Sequence, residues 1–226
     1  MGKIYDSIDG RLLEFVLQQP VFFVATAPAD GHVNVSPKGM RGSFAVLGER
    51  RVAYLDYTGS GIETVAHLRQ NGRITLMFCA FEGPPKIVRL HGRGVAVLPE
   101  DPRFPELFRH FDGMTTHALR SLVVIEVDRV SDSCGYAVPL MDYVGERTLL
   151  TEYNGRKSVD DLVEYRNAKN MVSIDGLPGV PAEESEPRGT SGEDGSAPLA
   201  PAEESERRGR IGSSDSIGRR RHRNGA

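Results

Sequence analysis

The sequence has 226 residues, 39% of them hydrophobic and 26% charged, with a formal net charge of −3. That length permits one or two domains, and so mild a charge predicts neither a strongly acidic nor a strongly basic partner. No apolar run approaches the ~20 residues of a membrane span. The opening "MGKIYDSIDG" lacks the basic region and apolar core of a secretory signal.

The expected location is therefore the cytoplasm. The two cysteines, Cys79 and Cys134, are expected there as reduced, buried thiols. With no CxxC spacing and no histidine tract nearby, no metal site is expected.

In chain order, "DGRLLEFVLQQP" predicts a helix capped at Asp9 and ended before Pro20. "VFFVATA" and "VNVSP" read as strands joined by "PADGH", where Asp-Gly marks a hairpin. "RVAYLDY" is the next strand, followed by the glycine-containing turn "TGSG" and a short helix with Ile62, Val65, Ala66 and Leu68 on its apolar side. "RITLMFCAF" predicts a strand buried on both sides. "KIVRLHGRGVAVL" alternates around Gly92 and Gly94, where a bulge or bend is expected. Phe104, Leu107, Phe108 and Phe111 share one face of a helix. "LRSLVVIEVDRV" is a last long strand, and "KSVDDLVEYRNAKN" a weaker helix. Strands joined mostly by hairpins predict an antiparallel sheet closed into a barrel.

Composition changes near Gly176. The stretch that follows is rich in Pro, Gly, Ser and charge, has no aromatic residue, and repeats a polar nonamer, "PAEESEPRG" and "PAEESERRG". It cannot bury enough apolar surface to offset its entropy. Residues 1–176 are therefore expected to form one domain and residues 177–226 a disordered tail. The closing "GRRRHR" is balanced by "EESE" and "GEDG" nearby, so a nucleic-acid partner is not expected.

The two glycines of "DYTGSGIETVAHL" suggest a phosphate-binding turn. A dinucleotide fingerprint needs G-x-G-x-x-G in a parallel βαβ unit. Here the third position is Thr64 and the neighbouring strands form hairpins, so that reading is rejected. A helix N-terminus remains, and its free N–H groups still favour an anion.

Taken in order, "HVNVSPKG", "YLDYTGSGIETVAHLRQNGRITLMF" and "KIVRLHGRG" resemble the pyridoxamine 5'-phosphate oxidase-like flavin-binding split barrels. The resemblance runs from about Leu12 to Val130. It implies a six-stranded antiparallel split barrel, flanked here by a few short helices. It also implies a homodimer holding FMN between its subunits. Carried over by position, the strand against the flavin ring is Val35, Ser36, Pro37 and Lys38, with Lys38 as the cation beside the reduced ring. Tyr57 and Thr58 match the family's aromatic-hydroxyl pair, and Ser60 and Thr64 can bond the phosphate or ribityl chain. The family's basic pair falls on Glu63 and Thr64. Glu63 must therefore turn away, pair with a cation, or mark a different cofactor. Arg89 is the expected replacement cation, although a salt bridge to Glu63 or Glu82 would explain it equally.

The function implied is an FMN-dependent oxidoreductase acting on an unidentified small organic substrate. Vitamin B6 oxidation is not expected, because the chain has no tryptophan and ends in a polar tail. The alternatives are a deazaflavin-dependent reductase, motivated by Glu63, and a non-catalytic flavin- or haem-binding protein. No catalytic acid or base is assigned. The segment "SCGYAVPLMDYVGER" is read as an extension placed to cover the cleft, in which Cys134, Gly135, Tyr136 and Pro139 either line a substrate pocket or, as expected, pack.

Overall fold

Short runs rich in apolar residues set most of the strands, and proline and glycine set many of their ends. A computed structural model describes residues 2–183. In order the elements are β1 (Ile4–Tyr5), α1 (Gly10–Gln18), β2 (Phe22–Thr26), β3 (Asn34–Lys38), β4 (Phe44–Gly48), β5 (Arg51–Tyr57), α2 (Glu63–Asn71), β6 (Arg73–Cys79), β7 (Ile87–Val97), α3 (Phe104–Phe108), β8 (Leu119–Ser133), α4 (Leu149–Gly155) and α5 (Val159–Lys169). Asp9 is the N-cap residue of α1, which buries Leu12 and Val16. Gly72, at φ 72°, terminates α2 in the left-handed conformation, which glycine adopts without steric cost.

The barrel expectation is overturned. The strands form one open antiparallel sheet of eight, in the order β3-β2-β6-β7-β8-β5-β4, with β1 paired to β8 off this path. β3 and β4 are the free ends and do not pair with each other, so the backbone ladder does not close. Two strands beyond the expected six, β1 and β4, account for the larger count. With five helices among the described residues the class is mixed α/β rather than mainly β. Side chains, not ladder bonds, bridge the gap between the two ends of the sheet: the ring centroid of Phe22 on β2 lies 5.3 Å from that of Phe44 on β4, and Phe44 lies 5.2 Å from Phe78 of β6.

Both faces of the sheet are covered. Val52 and Tyr54 of β5 join one apolar cluster with α1, Phe22, Leu76 and Leu90. The alternate residues Ala53 and Leu55 join another with Phe104, Leu107 and Leu122. The period of two along a strand makes this division. β6 is less buried than expected, because Ile74, Leu76 and Phe78 are buried while Thr75 and Met77 are half-buried. The expected irregularity in β7 is present: His91 pairs with Arg129 and Gly92 with Val127, leaving one extra residue in β8. A Cβ on Gly92 would stand 2.1 Å from the Glu126 carbonyl oxygen, so only glycine permits this approach. α3 is one short turn, and Phe111 reaches the core from beyond its end.

After α5 the chain folds back. Gly179 N–H donates to Met171 O at 2.8 Å, and Val180 packs with Ile62, just before α2, and with Val65 of α2. From residue 184 onward the expected tail, including most of the first nonamer, all of the second and the arginine run, lies outside the described residues. Cys79 is buried as expected, but Cys134 is exposed, because it follows the end of β8.

Candidate functional site

Two charges sit on apolar strands, Asp56 on β5 and Arg120 on β8. A buried charge is costly unless it is paired and hydrogen-bonded, and antiparallel pairing of these strands supplies the partner. Arg120 Nε and Nη2 donate to Asp56 Oδ2 at 3.0 and 2.8 Å. Lys38 Nζ, from the end of β3, donates to Asp56 Oδ1 at 2.8 Å. Burial pushes the Asp56 pKa up, but the charges of Arg120 and Lys38, with their hydrogen bonds, outweigh it and hold the carboxyl well below the usual range.

The same guanidinium shapes the loop between β5 and α2. Arg120 Nη1 donates to Gly61 O at 2.7 Å, to Gly59 O at 3.3 Å and to Asn170 Oδ1 at 3.0 Å. Asn170, fully buried at the end of α5, donates through Nδ2 to Gly59 O at 2.9 Å. Asn154 Nδ2 of α4 donates to Thr58 O at 3.2 Å. The loop's carbonyls are therefore tied to one side. Every peptide here is trans, so each following N–H points the opposite way. No described residue accepts from the N–H of Ser60 or Gly61. Ile62 N–H donates to Glu63 Oε2 at 3.0 Å.

Beside this loop lies a cleft of about 1270 Å³. β3 contributes Asn34, Ser36, Pro37 and Lys38, and β5 contributes Asp56 and Tyr57. Glu63 and Thr64 line it from α2, and Met141, Tyr143 and Arg147 from the segment after β8. Polar groups on its wall are linked: Ser36 Oγ donates to Asn34 Oδ1 at 3.2 Å, and Asn34 Nδ2 donates to Thr64 Oγ1 at 3.1 Å. Behind Asn34, Thr26 Oγ1 lies 3.0 Å from Nδ1 of the buried His67, whose pKa burial pushes down.

Of the residues singled out in the sequence, Ser36, Pro37, Lys38, Tyr57 and Thr64 come together along this cleft. Val35, Thr58, Ser60 and Arg89 lie off its lining. Val35 alternates to the other face of β3 and is 60% exposed. Thr58 is buried beneath the loop, with its Oγ1 accepting from Arg166 Nη1 at 3.4 Å. Ser60 is exposed at the loop's tip. Arg89 is on β7, where Nη1 donates to Ser133 Oγ at 3.0 Å rather than to Glu63 or Glu82. Among the described residues Glu63 pairs with no cation; its carboxylate accepts the N–H of Ile62 at the start of its own helix. The extension does line the cleft, but through Met141, Tyr143 and Arg147 rather than Cys134, Gly135, Tyr136 or Pro139.

Sequence reading missed Asn34, Asp56, Arg120, Asn154 and Asn170. A signal existed for two of them: a lone carboxylate in "VAYLDY" and a lone guanidinium in "LRSLVV" each demand a partner. The asparagines carry no such mark, because their partners are backbone atoms distant in sequence.

The family model for pyridoxamine 5'-phosphate oxidase matches residues 8–134, more than half of the chain. The chain belongs to the pyridoxamine 5'-phosphate oxidase family. A family member from Aspergillus flavus, the pyridoxamine 5'-phosphate oxidase family protein ustO, is 38% identical over 197 residues, covering 80% of this chain and 78% of that one. Solved structures align over a shorter core. A variant of HupZ from Group A Streptococcus is 20% identical, covers 56% of this chain and 99% of that one, and has a TM-score of 0.45. An FMN-binding protein from Syntrophomonas wolfei is 15% identical, covers 52% and 78%, and has a TM-score of 0.40. The family match ends before α4 and α5, so Asn154 and Asn170 reach the loop from outside the matched region.

The flavin that this family implies can be tested against the cleft itself. Its volume exceeds the ~300–1,000 Å³ of common small-molecule sites, so it can accept a ring system with a side chain. Hydroxyl and amide groups on one wall and outward amides at the loop are the donor set that such a ligand needs. The donor set fits; the one discordant group is the Glu63 carboxylate.

Proposed function

We propose that this family member is a flavin-dependent oxidoreductase, with FMN as its cofactor, acting on a small organic substrate. The observation that carries this reading is the convergence of Ser36, Lys38, Tyr57 and Thr64 on one cleft in a chain of this family. A bound flavin would supply hydride or electron transfer at its ring. The protein's part is binding and electrostatics. Lys38 would place a positive charge beside the reduced ring, held there by Asp56. Asn34 would fix the hydroxyls of Ser36 and Thr64, and the amides of residues 60–61 would meet the far end of the side chain. Met141 and Tyr143 would exclude water from the mouth.

Homodimerisation belongs to the same proposal. The segment from Tyr136 to Leu149 exposes Tyr136 at 83%, Leu140 at 78% and Val144 at 97%, an apolar strip of the kind that marks an interface. No helix among the described residues is long and apolar enough to cross a membrane. Both cysteines are unpaired, which supports the reducing cytoplasm as location.

Titration of the purified chain with FMN tests the reading. Quenched flavin fluorescence and a raised melting temperature are expected; a colourless protein with an unchanged melting temperature would refute it. Glu63 favours a second reading, in which the cofactor is a deazaflavin. Tighter binding of FMN than of a deazaflavin ends that alternative.

A further inference from the structure

Acidic side chains outnumber basic ones along the cleft by five to four. Of the four cations on the lining, Lys38 and Arg120 are both committed to Asp56. At the loop, where the end of a bound flavin's side chain would meet backbone amides, a carboxylate is already present. Glu63 Oε2 accepts the Ile62 N–H at 3.0 Å, and it would lie 3.0 Å from a Cβ built on Gly61. This anionic group stands on the amide side of the loop, opposite the face held by Arg120 and Asn170. A phosphate monoester brings close to two negative charges at neutral pH. Placed beside Glu63 it meets a like charge.

We infer that Glu63 sets the charge accepted at this end of the cleft. It disfavours a dianionic phosphate relative to an uncharged hydroxyl, so the site holds riboflavin at least as tightly as FMN. The inference rests on the flavin reading above and concerns one end of the same ligand. Ring contacts from Ser36, Pro37 and Lys38 supply the affinity that the two flavins share, and Glu63 supplies the difference between them.

The test is a fluorescence titration of the full chain with riboflavin and with FMN, in wild type and Glu63→Gln, at low and high salt. Wild type is expected to bind riboflavin at least as tightly as FMN. Glu63→Gln is expected to tighten FMN binding by about tenfold, once solvent screening of the repulsion is allowed for, while riboflavin binding stays within about twofold. Wild-type affinity for FMN is expected to rise with salt, because screening relieves repulsion. FMN binding far tighter than riboflavin in wild type overturns the inference, as does a substitution that shifts both flavins equally. Should Glu63→Gln unfold for want of its cap, the salt series on wild type decides, and FMN affinity that falls with salt overturns it. Absence of binding by either flavin overturns the flavin reading and the inference with it; binding with the wrong selectivity overturns the inference alone.

Discussion

Asp56 is a carboxylate in the middle of an apolar strand, 1% exposed, with Lys38 and Arg120 as its partners. Breaking such a set by removing one member leaves the others buried and uncompensated. Asp56→Asn is therefore expected to lower stability by about 3–5 kcal/mol, read from the urea midpoint. The folded carboxyl is held well below its ordinary pKa, so the folded state stays deprotonated where the unfolded chain takes up a proton. Its contribution is complete above the unfolded value of about 4 and is lost as pH falls toward the folded one. Urea midpoints of the wild type should thus decline from about pH 5 downward, and Asp56→Asn should flatten that decline. A variant with the same acid slope as wild type would remove Asp56 as the cause.

At the level of elements, the loop after β5 is held by two helices that follow β8. α5 places Asn170 between Arg120 and Gly59 O, and α4 places Asn154 under Thr58 O. α5 itself begins with a capping box, in which Ser158 accepts from Asp161 N–H while the Asp161 carboxylate accepts from Ser158 N–H. This fixes the helix start. Asn170→Ala leaves a buried carbonyl and one guanidinium N–H without this partner. A loss of about 1–3 kcal/mol is expected in denaturant unfolding. Hydrogen exchange should speed up at residues 59–61 before it does in β5, since the strand keeps its ladder. Equal protection of the loop in variant and wild type would show that the asparagine does not hold it.

For the whole molecule, the open sheet leaves β3 and β4 as unpaired edges, and the segment after β8 leaves a strip of apolar side chains uncovered. Sedimentation equilibrium is expected to give twice the monomer mass. Replacing the nearly fully exposed Val144 with Asp should shift the population toward single subunits without lowering the unfolding midpoint, because the side chain contributes nothing to the core. Dimers that persist in this variant would place the contact elsewhere on the molecule.

Much of this was readable in the chain itself. The apolar runs in "RVAYLDY" and "LRSLVVIEV" located β5 and β8, Pro20 ended α1, and Gly92 marked the bulge, because each depends on neighbours within a few residues. The family resemblance, carried over position by position, led to Ser36, Lys38, Tyr57 and Thr64. β4 was missed, since "FAVLG" is five residues flanked by glycines and its pairing with β5 is not a short-range property. Whether the sheet's edges meet depends on the curl summed over every strand, and no local pattern encodes that sum. The partners of Asp56, the inward carbonyls of the "TGSG" loop and the two asparagines beneath it were decided only by tertiary structure. Each of those contacts joins residues far apart in sequence, and burial, not spacing, makes them necessary.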